Sequence, residues 1–188
     1  MTTPHAPRWP EQIKSLPGWL TSTIGARLWL RGCEVGAGTK TFGRPHIENR
    51  GRIVLGARVR LNSSWAPLEL VTAQNGLIEI GDGTFVNYGT LLSAYMHVRI
   101  GRNVMIGNYC IIADTEIAGI GAPPGAPALE AHGVEIGDRA WLAARVSVLP
   151  GSHIGAGAVI AAGSIVSGNI PDGAVAAGIP ARVIRVAE

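Results

Sequence analysis

The sequence predicts an all-β chain wound as a parallel β-helix, on three observations. The first is a period of six. Ile100, Ile106 and Ile112 are followed, in the same phase, by Ile136, Leu142, Val148, Ile154, Ile160 and Val166. Ile80, Val86 and Leu92 keep that period upstream, before a step of eight to Ile100. Six fits neither the 3.6 of an α-helix nor the alternation of a long strand. It means short extended pieces with a turn after each, stacked coil on coil. The second observation is the core chemistry: apolar residues make up 47% of the chain but aromatics only 5%, which suits a narrow prism filled by one layer of aliphatics per turn. The third is glycine, 26 of 188 residues, which often follows the periodic aliphatic directly, as at Gly81, Gly101, Gly107, Gly137 and Gly155. A corner that takes positive φ, or that passes close to the next coil, favours glycine.

The elements follow in order. Residues 1–32 read as an arm, Pro-rich to residue 17, with a short helix over 18–32. Trp19, Leu20, Ile24, Leu28 and Leu30 share one stripe of that helix and Gly32 ends it. The stripe is expected to dock on the first coil. Residues 33–188 read as one β-helix domain. Val35, Thr41, Ile47 and Ile53 open the coils, and Leu55 and Leu61 continue them in a shifted phase. Residues 62–76 break the pattern and read as an extended excursion. Regular coils run from 77 to 113. A Pro/Gly-rich loop at about 114–133 interrupts them, and a loop of that length in a regular solenoid is usually functional. Coils resume at Val134 and run to Val166, and the tail over 170–185 closes the stack.

Composition excludes some functions. A net charge of +3, with the basic residues scattered, does not make a nucleic-acid surface. No apolar run is long enough to span a bilayer. Met1 to Pro10 lacks an apolar core behind a basic start, so the cytoplasm is the expected compartment. Cys110 occupies a position held elsewhere by Val98, Val104, Val134, Ala140 and Val146, which makes it a small inward filler rather than half of a disulfide with Cys33. A stack of coils leaves end strands and flat faces uncovered, so association is expected, and a three-sided prism suits a homotrimer.

Three stretches carry a family resemblance: Ile80-Gly-Asp-Gly-Thr-Phe-Val-Asn-Tyr-Gly89, Val134-Glu-Ile-Gly-Asp-Arg-Ala-Trp-Leu-Ala143 with Leu149-Pro-Gly-Ser-His-Ile-Gly155, and Ile170-Pro-Asp-Gly-Ala-Val-Ala-Ala-Gly-Ile-Pro-Ala-Arg182. They are similar to the hexapeptide-repeat acyltransferases, in particular the sugar O-acetyltransferases that act on maltose, galactosides, O-antigen and capsule sugars. The resemblance implies a left-handed β-helix, an exception to the usual right-handed crossover, and a trimer binding acyl-CoA between subunits. It implies transfer of an acetyl or other acyl group from acetyl-CoA to a sugar or small polar acceptor. Asn87 matches the family's substrate-contacting Asn. Ala144 and Ala162 match positions lining the pantetheine arm. Ser167 and Gly168 match a Thr-Lys pair beside the cofactor, with Gly168 removing the charge. Arg182 and Arg185 match basic residues near the nucleotide phosphates, where a guanidinium donates paired charge-assisted bonds.

The catalytic position departs from the family. Relatives place a histidine in stretches similar to Asp-Thr-Asp-Phe-His. This chain reads Asp114-Thr-Glu-Ile-Ala118, so Ala118 stands there. A hydroxyl is a poor nucleophile until a base takes its proton, and such help is worth roughly 10²–10⁴ in rate. Three readings follow. Another group is the base, with His132 first and Glu116 and Asp114 as nearby carboxylates; or the acceptor is an amine or another group needing less activation; or the scaffold has turned to binding or another reaction. Metal is not expected. Gamma-class carbonic anhydrases share the fold, but histidines 5, 46, 97, 132 and 153 put no close pair on one coil.

Overall fold

The structure, a computed structural model, describes residues 25, 26, 28–115 and 130–186. They form a parallel β-helix of about six turns, the left-handed form the resemblance implies. Its three sheets run the length of the prism. The first stacks 34–35, 52–55, 77–80, 97–100, 134–136, 153–154 and 169–170. The second stacks 40–42, 60–62, 85–86, 105–106, 141–142, 159–160, 174–178 and 181–186. The third stacks 46–49, 69–72, 91–94, 111–113, 147–148 and 165–166. All pairings are parallel except the last, where 181–186 folds back antiparallel on 174–178 after a cis Ile179–Pro180 bond.

The period of six is the width of one face. Ile80, Ile100, Ile136, Ile154 and Ile170 fall in one column through the first sheet's register. Val86, Ile106, Leu142 and Ile160 form the second column, and Leu92, Ile112, Val148 and Val166 the third. These side chains are buried in one continuous core. Cys110 is fully buried among them, and its Sγ lies 3.2 Å from the Ala143 carbonyl oxygen. Burial pushes its thiol pKa up. Cys33 is also a free thiol.

The glycines resolve as close approaches. Gly81, Gly101, Gly107, Gly137 and Gly155 do not have positive φ. A Cβ at Gly107 would stand 2.6 Å from the Ala143 carbonyl carbon and 2.7 Å from the Ala144 nitrogen of the next coil. Positive φ falls two residues further on, at Gly83, Asn103, Tyr109, Arg139 and Gly157.

The reading of 62–76 needs correction. Residues 69–72 are a regular strand of the third sheet, in register with 46–49 and 91–94. Leu68, Leu70 and Thr72 are buried, so the inward alternation persists. The additional residues sit at the corners on either side, which shifts the phase without leaving the stack. Of the helix over 18–32, helical residues are described at 25, 26, 28 and 29, and the Leu30 N–H donates to the Ala26 carbonyl at 3.0 Å. Ala26 and Leu30 pack on the core, and Gly32 follows at φ +85. The remainder of the arm lies outside the described residues.

The outer faces differ in chemistry. The first sheet carries a ladder of charges: Glu34–Arg52 at 2.6 Å, Glu79–Arg99 at 3.7 Å, Arg99–Glu135 at 3.5 Å and Glu135–His153 at 3.6 Å. The second presents a column of Phe85, Met105, Trp141, Val159 and Val175, with Met105 and Trp141 about half exposed. The third presents Glu69, Leu91, Ile111, Ser147 and Ile165 in one column, with Leu149 beside it. The first face is charged, the second carries a long apolar row and the third is mixed.

Candidate active site

Asn87 follows the second-sheet strand 85–86 and sits on the edge between the second and third sheets. Its Oδ1 accepts two hydrogen bonds, from Asn62 Nδ2 and from the Tyr88 N–H, both at 2.9 Å. That network sets the amide's orientation, since only the oxygen can accept from a backbone N–H. Nδ2 is left as a donor with no partner among the described residues. Coil by coil, the neighbours of Asn87 toward the C-terminus are Gly107, Ala143 and Ala161. Small residues therefore leave this edge open beyond it.

Ala144 and Ala162 lie on the same edge, two and three coils further along. The Ala144 carbonyl accepts the Gly163 N–H at 3.0 Å, while the Ala162 N–H has no partner among the described residues. Arg182 and Arg185 are exposed on the final strand, opposite Ala177 and Val175. Arg185 thus ends the apolar column of the second sheet. Five strand spacings separate the Asn87 strand from this final strand, about 24 Å at ~4.8 Å each.

The remaining sequence-predicted residues gather on another edge, between the third and first sheets. Asp114 follows the strand 111–113 and is fully buried. Its Oδ1 accepts the Tyr95 N–H at 2.8 Å and its Oδ2 the Met96 N–H at 2.6 Å. The carboxylate is therefore committed to the backbone turn beneath it. Both oxygens accept backbone bonds and are shielded from solvent. Asp114 is also the loop's anchor, because its carbonyl accepts the His132 N–H at 2.7 Å and closes the base of the loop. The His132 carbonyl accepts the Gly151 N–H at 2.7 Å, and its ring is exposed, with Nε2 3.7 Å from Glu130 Oε2. Ser167 and Gly168 stack on this same edge and are exposed. Glu116 and Ala118 lie outside the described residues.

Substituting Asp114 tests the carboxylate's hold on the turn at 95–96, since the carbonyl that accepts from His132 is main chain and stays. Asp114→Ala leaves the Tyr95 and Met96 N–H groups without acceptors, a loss on the order of 1–3 kcal/mol, read as a lowered urea midpoint. Asp114→Asn retains one acceptor and is expected to fall between. An unchanged midpoint in the alanine variant would show that the carboxylate does not hold this turn.

The structure thus brings Asn87, Ala144 and Ala162 together with a path to Arg182 and Arg185. It sets Asp114, His132, Ser167 and Gly168 at the opposite edge of the third sheet. Sequence reasoning missed two features. The apolar column of the second sheet was readable, since each member stands one residue before a periodic aliphatic. The other is an aromatic group at the Asn87 edge. Trp65 stacks on Tyr88 with ring centroids 6.0 Å apart and planes at 20°, and Tyr88 meets Tyr109 edge-on at 5.5 Å. No periodic signal marks that group. Among the described residues no three of His, Cys, Asp and Glu converge to hold a metal ion, and no helix is long and apolar enough to cross a membrane.

A parallel β-helix of six-residue faces is the fold that hexapeptide repeats build. Comparison with known proteins agrees. The model of the bacterial transferase hexapeptide (six repeats) matches residues 133–168. A protein of Escherichia coli named for lipopolysaccharide-biosynthesis O-acetyl transfer, WbbJ, is 34% identical over 149 residues, covering 74% of this chain and 74% of its own. A Mycobacterium tuberculosis protein named for acetyltransferase activity is 30% identical over 156 residues, covering 75% of this chain. This chain spans about half of that relative's length, 52%. A solved structure of a variant of AntD, an N-acyltransferase of Bacillus cereus in complex with dTDP and coenzyme A, superposes with TM-score 0.70 at 20% identity, over 86% of this chain and 88% of that one. The chain belongs to the hexapeptide-repeat transferase family.

Proposed function

We propose that the protein transfers an acyl group, acetyl first, from acyl-CoA to a hydroxyl or amine of a sugar or small polar acceptor. The observation that carries this is the path from the oriented Asn87 amide to Arg182 and Arg185, along an exposed apolar column five strand spacings long. In this reading the arginines hold the nucleotide phosphates, and Ala144 and Ala162 flank the pantetheine, with the Ala162 N–H free to bond it. Ser167 and Gly168, on the other edge of the third sheet, would reach the cofactor only from a neighbouring protomer. The acceptor oxygen attacks the thioester carbonyl carbon and the C–S bond breaks. The Asn87 Nδ2–H group stabilises the carbonyl oxygen as charge develops there. The acceptor's proton goes to a base and the leaving thiolate takes one up. The WbbJ relative, named for O-acetyl transfer in lipopolysaccharide biosynthesis, supports acetyl transfer to a sugar hydroxyl, and the coenzyme A complex of AntD supports acyl-CoA as co-substrate.

His132 is our candidate base, in place of the histidine that Ala118 replaces; Glu116, on the same loop, is second. His132 and Asn87 occupy different edges of the prism. One protomer alone does not join them, and a neighbour packing edge to edge does. One apolar face, one mixed face and one charged face favour the same arrangement, a homotrimer that covers the apolar row and leaves the charge ladder in water. The reading assigns the protein to the cytoplasm, where acyl-CoA is made. Ala118 and Gly168 also favour a second reading, in which the scaffold binds a CoA-like ligand without transfer.

The test is thiol release from acetyl-CoA with a panel of sugars and amines. His132→Ala is expected to lower turnover by roughly 10²–10⁴, and Ala118→His to raise it. Full activity in His132→Ala removes His132 as the base. Binding of acetyl-CoA without release for any acceptor favours the second reading, and absence of binding removes both. Sedimentation should give three copies; a monomer would overturn the inter-protomer site.

A further inference from the structure

We propose that Trp65, backed by Tyr88 and Tyr109, is a platform for the ring of a pyranoside acceptor. The proposal deepens the acyltransferase reading and rests on it for the identity of the reaction. Trp65 is 84% exposed, the largest exposure among the described large apolar residues. One face of its ring lies over Tyr88 and is nearly parallel to it. Tyr88 is held in turn by the edge-on ring of Tyr109. Gly89 makes that contact possible, because a Cβ there would collide with the Tyr109 ring. The indole meets Tyr88 on one side and is otherwise open to solvent, so its free face is available to a flat ligand.

Three features choose a sugar ring over other occupants. The first is position. Trp65 follows Asn62, which pairs in the sheet with the Asn87 level on the side away from Arg182 and Arg185. A carrier stretched from the arginines ends at Asn87, and the platform lies one coil beyond that end. The acceptor, not the carrier's own base, belongs there. The second is the polar surround. Asn62 and Asn87 are linked through Nδ2 and Oδ1 at 2.9 Å, and Asn87 Nδ2 is an unused donor. The phenol oxygens of Tyr88 and Tyr109 have no hydrogen-bond partner among the described residues. The third is matched chemistry. A pyranoside has a face of C–H bonds, slightly positive, that suits the negative face of an aromatic ring, and a rim of hydroxyls that suits amides and phenols. Stacked on Trp65, the ring has its rim toward Asn87, where a hydroxyl meets the thioester.

Binding and turnover are measured separately. Saturation-transfer NMR on the full chain uses methyl glucopyranoside and methyl galactopyranoside as probes, comparing the wild type with Trp65→Ala and Trp65→Phe. At least one glycoside is expected to bind the wild type, to lose roughly 3- to 10-fold in affinity in Trp65→Ala, and to keep most of its affinity in Trp65→Phe. In thiol-release assays Trp65→Ala should raise KM for that glycoside by the same factor. KM for acetyl-CoA, and transfer to a small acyclic amine or alcohol, should stay unchanged. Equal glycoside binding in wild type and Trp65→Ala overturns the platform, as does no glycoside binding by the wild type. A change of oligomeric state in Trp65→Ala also overturns it, since Trp65 would then be a protomer contact. If no acceptor releases thiol while glycoside binding still depends on Trp65, the platform stands and the transfer reading falls.

Discussion

Asn87→Asp is expected to lower the rate of acyl transfer by roughly 10²–10³-fold, the usual loss on removing one donor to a developing oxyanion, while the protein stays folded. The substitution keeps an oxygen to accept from Asn62 Nδ2 and the Tyr88 N–H, each now bonded at 2.9 Å. It removes the Nδ2 donor and puts a negative charge where the carbonyl oxygen becomes negative. The loss should fall on kcat, because the carrier's grip is at the other end of the second sheet. Asn87→Ala should cost a similar factor and, in addition, some stability, since two donors lose their acceptor. The checks are kcat and KM for acetyl-CoA by thiol release, with the unfolding midpoint as a control. An Asp variant within a few-fold of the wild type, at an unchanged midpoint, would mean that Asn87 only braces the corner.

Leu142→Ala is expected to destabilise the protein by about 2–5 kcal/mol, the range for emptying a packed aliphatic site. Leu142 is fully buried in the second inward column, between Ile106 and Ile160. A parallel coil cannot relax inward at one level without moving the coils above and below. Each coil is bonded to both neighbours by backbone hydrogen bonds, such as the Gly107 N–H to the Leu142 carbonyl at 2.8 Å and the Ala143 N–H to the Ile160 carbonyl at 2.9 Å. The cavity should therefore stay open. Urea denaturation at unchanged m-value reads the effect as a shifted midpoint. A loss below about 1 kcal/mol would show that the prism closes over the gap and is not packed as tightly as an ordinary core.

These residues also mark how far the sequence was legible. The three columns could be read directly, because a six-residue face repeats without regard to what surrounds it. Ile106 and Leu142 are 36 positions apart in sequence and adjacent in register. Residues 62–76 were harder. Leu68, Leu70 and Thr72 kept their inward alternation, but the wider corners displaced them from phase, and a period search reads a displaced strand as a missing one. Asp114 could be noticed as a carboxylate near the loop. That both its oxygens are spent on the Tyr95 and Met96 N–H groups is a fact about a turn 18 and 19 residues earlier.

The amino-acid sequence by itself determined the architecture, the inward columns and the family, because each of these is written in local spacing that survives any rearrangement of the loops. The tertiary structure alone decided which side chains share an edge. Asn87 stands with Ala144 and Ala162, and His132 stands across a sheet from them, next to Ser167 and Gly168. It alone decided that Trp65 braces against Tyr88, from the far side of a 23-residue gap. The physical reason is the winding: neighbours in a β-helix lie one whole coil apart along the chain. Corner lengths vary from coil to coil, so which corner residues meet depends on how every strand between them is registered.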